Sequence, residues 1–429
     1  MHIPRRSFIQ GMLGTSLIGL GAGSACSSAK PLPGPGTPPT PLPPGASAIE
    51  HIIVLTMENR SFDHFLGWLP SADGWMTKDP NVTYTDSSGH SYPPQNLGTD
   101  FTGCGHPVPN NSYGTPNLTA YDNGKMDGFL RVPGNDIYSI GYYTEADMPF
   151  LSAFAQAYTT YDHWFAPILA ETFPNRMFLW AAQTDRLSNT YTPSNLTTIF
   201  DRLSSAGISH RYYFNNVPFL ALWGFRYLFS TALFDDFLND VSSGNLPAVS
   251  FVDPKFTELD DGLGNDDHPH SDIRNGDAFL AQVFHAVSTG PKWASTVLIV
   301  TFDEWGGFFD HVAPPLVVPA NGIDTHLIDG KVLLGFRVPT IIASPFTRGT
   351  NRVDSNVYDH TSILKLIEWR WNLPPLTPRD AAMNNPATTF NFTSPEPSVP
   401  ALPQPATVPA LPCFLQGAVK PETPAAPES

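Results

Sequence analysis

IIVLTM at residues 52–57, closed by Glu58-Asn59, and STVLIVTF at residues 295–302, closed by Asp303-Glu304, are two apolar runs of strand length that each end in oxygen-bearing side chains. AVSFV (248–252) and VPTIIAS (338–344) are further runs of the same kind. Short apolar stretches bounded by polar or turn residues read as strands buried on both faces. Between them, DIRNGDAFLAQVFHAV (272–287) brings Phe279, Val283 and Val287 round at four-residue spacing, with Asp272 available to cap its start. Strands alternating with helices predict an α/β fold whose parallel sheet is covered on both faces, with the ligand site at the carboxyl ends of the strands. Glu58, Asn59, Asp303 and Glu304 fall at two such ends. Four hard oxygen donors gathered there would repel one another without a cation, which points to a divalent metal, against the plainer reading of acidic residues in solvated loops.

Working outward, the chain has 429 residues, 41% hydrophobic and 14% charged, enough apolar material for a large core. Its 23 basic and 39 acidic side chains leave a formal charge of -16, which argues against nucleic-acid binding. Residues 1–29 open with Arg5-Arg6-Ser7-Phe8-Ile9 and continue into a Gly-rich apolar run, which reads as a twin-arginine-type export signal. The protein is then expected to be exported, to the periplasm or cell surface. Cys26 follows Gly23-Ser24-Ala25 like the end of a lipoprotein signal, although Gly23 departs from the usual Leu, and a lipid anchor there is left open. Residues 30–47 form a Pro-rich linker, the folded domain is expected over 48–393, and 394–429 form a Pro-rich tail. Three cysteines exclude a disulfide framework; with Cys26 lipidated or removed, Cys104 and Cys413 remain as a pair.

DHWFAPILAETFPNRMFLWAAQT (162–184) places Thr172 and Pro174 where a helix begins. A helix N-terminus favours an anion, so Thr172 either caps the helix or stands beside a bound phosphate. Histidines cluster in loops rich in Gly, Pro and Asp: His106 in CGHPVP, His268 and His270 in NDDHPHSD, His311 in DHVAPP. Each could move a proton or hold a phosphate oxygen, or serve structure alone. His360 precedes a helix with an apolar stripe of Ile363, Leu364, Ile367 and Trp371, where it reads as a brace.

Taken in order, IEHIIVLTMENRSFDHFLG (49–67), NGKMDGF (123–129), GYYTEADMPF (141–150), ETFPNRMF (171–178), FDEWGGFFDHVAPP (302–315), VPTIIASP (338–345) and YDHTSIL (358–364) resemble the phosphoesterase family of bacterial phospholipases C and related acid phosphatases. The resemblance implies a three-layer α/β/α sandwich with a mostly parallel sheet, similar to alkaline phosphatases. It implies Glu58, Asn59, Asp303, Glu304 and Thr172 as metal ligands and Thr172 as nucleophile. His268 and His106 become proton-transfer or phosphate-binding residues, and Asn175, His311 and His360 lesser substrate-binding candidates. Where the family commonly has His, this chain has Trp305.

The expected activity is metal-dependent hydrolysis of phosphoric esters through a phosphothreonine. The substrate is a phosphomonoester or a phospholipid head-group diester, and only a Pro-rich tail after the domain tilts toward a compact, broad-specificity esterase. Membrane contact would come only through a lipid anchor or a lipid substrate. Sulfate esters rank last, because position 172 is Thr. The alternative is a non-catalytic tethered surface module that keeps the fold.

Overall fold

A computed structural model describes residues 48–257, 262–349 and 352–415. The expected export signal, Cys26 and the expected linker to residue 47 lie outside the described residues, as does the tail beyond residue 415. The central sheet comprises β1 (His51–Met57), β2 (Thr159–Tyr161), β3 (His210–Phe214), β4 (Thr231–Leu233), β5 (Val249–Val252), β6 (Thr296–Phe302), β7 (Thr340–Ala343) and β8 (Val353–Asp354). Their order across the sheet is β8-β2-β7-β6-β1-β5-β3-β4. Every pairing is parallel except those of β7, which runs antiparallel to both β6 and β2. A wholly parallel sheet is therefore not formed, and the mostly parallel arrangement is.

Besides short helices at Trp75–Lys78 and Thr115–Tyr121, the helices are α1 (Phe62–Leu66), α2 (Pro149–Ala157), α3 (Thr172–Ala181), α4 (Ile199–Ser205), α5 (Phe234–Ser243), α6 (Ile273–Thr289), α7 (His360–Trp371) and α8 (Pro378–Ala382). One group, α2, α5 and α6, packs together, and a second, α3, α4, α7 and α8, does the same. The two groups cover opposite faces of the sheet and give the three layers. That double cover explains why β1 and β6 are buried at every residue and read as unbroken apolar runs. Asp272 caps α6 as its position predicts, its side chain accepting from Arg274 N.

Beyond α8 the chain crosses the surface without helix or strand from Asn391 to Pro412. Trp293 Nε1 donates to Pro397 O at 3.0 Å and Val408 N to Asn275 Oδ1 at 2.8 Å, so this stretch lies along α6 and the turn after it. A disulfide between Cys104 and Cys413, with Cα atoms 5.2 Å apart, fastens its end to the loop before His106.

Candidate active site

The three central strands end at one edge of the sheet. In the β1–β6 register Met57 faces Phe302, and Asp303 N donates to Met57 O at 3.0 Å, so Glu58 and Asp303 leave the sheet side by side. Asp253 follows β5, on the other side of β1. Asn59 turns back at once, with φ of +59°, and its N–H donates to Asp303 Oδ1 at 3.0 Å. The same oxygen accepts from Glu304 N at 2.8 Å, while Glu304 is held by Asn111 Nδ2 at 2.6 Å and Gly306 N at 2.7 Å. Gly306 sits at φ of +65°, and a Cβ there would lie 2.0 Å from Asn59 O, so only glycine lets these turns nest.

Thr172 is the first residue of α3. Its hydroxyl caps nothing: Glu171 holds the cap position, and Thr172 Oγ1 instead donates to Asn59 Oδ1 at 3.3 Å. The loop that delivers it is fastened by Asn175, whose Oδ1 accepts from Ile168 N at 3.1 Å and whose Nδ2 donates to Ala170 O at 2.7 Å. Asn175 is fully buried and does not face the cleft, because its amide is occupied by this backbone.

One helical turn after Thr172, Arg176 reaches back to the sheet edge. Its Nε donates to Glu58 Oε1 at 2.7 Å and its Nη1 to Asp253 Oδ1 at 2.9 Å, and its guanidinium lies 4.4 and 4.8 Å from the ring centroids of Phe219 and Phe256. Burial pushes the Glu58 carboxyl well up; Arg176 pulls against this, and Asp303, Asp266 and Glu304 add to it. Burial and the neighbouring Asp303 likewise hold Glu304 far above the usual carboxylate range. Asp303 Oδ2 is buried and accepts no hydrogen bond, with Arg176 Nε standing 3.5 Å away. A single guanidinium thus faces Glu58, Asp253 and Asp303, and Asp303 Oδ2 has that ion-pair contact without a hydrogen bond. Glu58, Asn59, Asp303 and Glu304, with the Thr172 hydroxyl, bring to this sheet edge oxygen donors of the kind a hard divalent cation takes.

Of these, Glu58 and Thr172 open on a cleft of about 400 Å³, which Asp266 and His268 also line on its polar side. Phe173, Phe219, Phe256 and Leu222 form its apolar walls. His268 arrives on a loop shaped by Asp266, whose carboxylate accepts from Ser271 Oγ at 2.6 Å and whose carbonyl accepts from Glu58 N at 2.8 Å.

The remaining histidines lie elsewhere. His106 lines a separate cavity of about 480 Å³ with Asp100, Asp272 and Arg274, and its Nδ1 pairs with Asp136 at 2.8 Å, which raises its pKa. His311 is bound by Asp63 at 2.6 Å, beside Asp310 and Arg337, because the FFDH turn folds back onto α1. Asp63, Asp310 and His311 offer ligand atoms within 4.8 Å of one another, yet Arg337 already lies 3.2 and 2.8 Å from the two carboxylates and supplies the positive charge. His360 is buried beneath the site: its Nε2 meets Asp303 O at 2.7 Å, Trp164 Nε1 donates to its Nδ1 at 3.3 Å, and burial lowers its pKa to about 4. It braces the Asp303 backbone as a neutral ring. Trp305 packs edge-on against Phe336, 4.9 Å between centroids, as part of the core.

The sequence model of the phosphoesterase family matches residues 49–374. Non-specific phospholipase C6 of Arabidopsis thaliana is 33% identical over 376 residues, covering 78% of this chain and 71% of that protein. Phospholipase C B of Mycobacterium tuberculosis is 31% identical over 456 residues, covering 88% and 85%. Among solved structures, an alkaline phosphatase superfamily protein from Vibrio parahaemolyticus overlays with a TM-score of 0.38 at 10% identity, covering 78% of this chain and 70% of that one. The lipoteichoic acid synthase LtaP of Listeria monocytogenes gives 0.41 at 8% identity, covering 81% and 78%.

Proposed function

The chain belongs to the phosphoesterase family and hydrolyses phosphoester bonds, and we propose that it acts as a phospholipase C on phospholipid head-group diesters, with Thr172 as nucleophile. The observation that carries this reading is the Thr172 hydroxyl, released from capping and directed at Asn59 Oδ1, at the mouth of a cleft with aromatic walls. Such walls suit an ester with an apolar tail, as the phospholipase C names of the relatives suggest.

Glu58, Asn59, Asp303, Glu304 and Thr172 would hold the divalent cation, whose chemistry is to acidify a hydroxyl and neutralise a phosphate oxygen. The chain's own groups do the rest. Asn59 Oδ1 orients the Thr172 hydroxyl, and the α3 N-terminus favours the phosphate charge beside it. Thr172 Oγ, its hydroxyl proton already lost to solvent, bonds to phosphorus in line as the bond to the diacylglycerol oxygen breaks. His268, on the same cleft, gives that oxygen its proton. Water then bonds to phosphorus as the P–Oγ bond of the phosphothreonine breaks and one water proton returns to His268, which releases the phosphorylated head group and leaves Thr172 Oγ deprotonated for the next turnover. Arg176 is a positioning residue that keeps Glu58 beside Asp303. Export fits the same reading, since the Cys104–Cys413 bond suits an oxidising compartment.

The test is turnover of a chromogenic phosphocholine diester beside the matching monoester, with chelator and metal add-back. Faster, chelator-sensitive diester turnover is expected, with Thr172→Ala losing at least ~1000-fold while keeping its metal and its melting temperature. Faster monoester turnover would make the enzyme an acid phosphatase type. Silence on both with metal bound would leave a non-catalytic module.

A further inference from the structure

Residues 217–233 read VPFLALWGFRYLFSTAL and hold a division of labour that the chemistry above does not use. Leu220, Leu222, Trp223 and Tyr227 point inward and are buried. Trp223 Nε1 donates to Leu196 O at 2.9 Å, and the Tyr227 hydroxyl meets Thr198 Oγ1 at 2.7 Å and Asp201 at 2.9 Å, so the segment is pinned from beneath. On its other side Phe225 is 89% exposed, Phe229 98% and Leu228 56%. Three large apolar side chains held out into water within five residues cost free energy unless something covers them, and such patches mark interaction sites.

What covers them is indicated by where the patch leads. The first half of the same segment, Val217 to Leu222, lines the cleft that holds Thr172. Tyr191, also strongly exposed, packs edge-on against Phe173 at 5.2 Å, and Phe173 against Phe219 at 5.3 Å. Apolar surface therefore runs from the exposed Tyr191 ring through Phe173 and Phe219 to the side of the nucleophile, on the same segment that holds out Phe225, Leu228 and Phe229. A lipid substrate drawn along it would keep its acyl chains out of water throughout. Charge narrows the surface further: the only ionised side chain in the segment, Arg226, lies 2.9 Å from Asp201, and the whole chain carries -16. Attraction to an anionic membrane has no source here, whereas insertion of exposed aromatic and aliphatic side chains at a bilayer interface needs none.

We propose that Phe225, Leu228 and Phe229 form an interfacial docking surface that seats the enzyme on a zwitterionic lipid bilayer, with the catalytic cleft opening onto that bilayer; the proposal rests on the phospholipase C reading. The experiment uses the full chain. Flotation of the Thr172→Ala protein with phosphatidylcholine vesicles, which it leaves intact, is compared with the same protein carrying Phe225→Ser and Phe229→Ser. Vesicle association is expected to fall at least tenfold in the latter, and adding anionic phosphatidylglycerol is expected not to strengthen it. In the active background, Phe225→Ser/Phe229→Ser should lose at least tenfold against vesicle phosphatidylcholine and keep wild-type turnover of the soluble chromogenic diester. Equal vesicle binding with and without the two phenylalanines would overturn the proposal. So would a change from dimer to monomer in sedimentation without any lipid binding, which would assign the patch to a second copy of the chain. Absence of soluble-diester turnover in the wild type would instead sink the phospholipase reading, a separate readout from flotation.

Discussion

Gly306→Ala tests whether the turns at the sheet edge must nest as they do. A Cβ built at residue 306 lies 2.0 Å from Asn59 O and 2.7 Å from its carbonyl carbon, and contacts under 3.0 Å are not tolerated, so the atoms must part by about 1 Å. Alanine also inherits the left-handed φ of +65°, at roughly 1 kcal/mol. Neither partner can retreat without disturbing the site. Asn59 is tied to Asp303 through its N–H and to Thr172 through its side chain, and Gly306 N is tied to Glu304 Oε2. A displacement near 1 Å at reacting groups costs on the order of 100-fold in rate. The assay is kcat on the soluble chromogenic diester, with far-UV circular dichroism to confirm folding. Gly322→Ala, where an added Cβ meets nothing within 4 Å, serves as the control with unchanged kcat. A Gly306→Ala enzyme within twofold of wild type would refute the claim that the Asn59–Asp303–Glu304 arrangement is needed where it stands.

Other outcomes follow from features away from the cleft. Arg337 is fully buried against Asp63 and Asp310, so Arg337→Leu, which strands two buried carboxylates, should lower stability in urea by about 3–5 kcal/mol. Burial pulls the His311 imidazole down, but Asp63 and Asp73 lift it to about 9, above its ordinary 6.5. Its contribution is full below about 6.5 and lost as pH rises through about 9; a urea series from pH 6 to 10 should show that decline in the wild type and a flatter profile in His311→Gln. Cys413→Ser removes a cross-link between positions 309 residues apart and should cost about 2–5 kcal/mol of stability with turnover of the soluble diester unchanged, read by urea denaturation under non-reducing conditions.

The sheet edge was legible because double burial leaves its mark as unbroken apolar runs, and because the chemistry follows each run immediately. Asp253 carries that same mark after AVSFV and passes unnoticed only because it stands alone rather than in an acidic pair. Arg176 was open to detection too, four residues after Thr172 and therefore on the same helix face. The reversed direction of β7 has no such signature, since an apolar run reads alike from either end. Nor does clustering in sequence reveal distance in space. His106, His268 and His311 sit in similar Gly- and Pro-rich loops, yet His268 alone of the three lines the cleft with Thr172. Asn175 and His360 hold backbone at Ile168, Ala170 and Asp303 in place, a task that residue type does not distinguish from substrate binding.

The bond from Cys104 to Cys413 also has a bearing on the surface stretch before it. Its second half, Cys413, follows every strand of the central sheet and α1 to α8 along the chain. In the folded chain its two ends meet where the stretch from Asn391 lies along α6, so the cross-link ties that stretch down rather than joining one strand of the sheet to another. The bridge thus works as a clasp on the outside of the domain, and its oxidation state offers a simple readout of which molecules have that stretch fastened down.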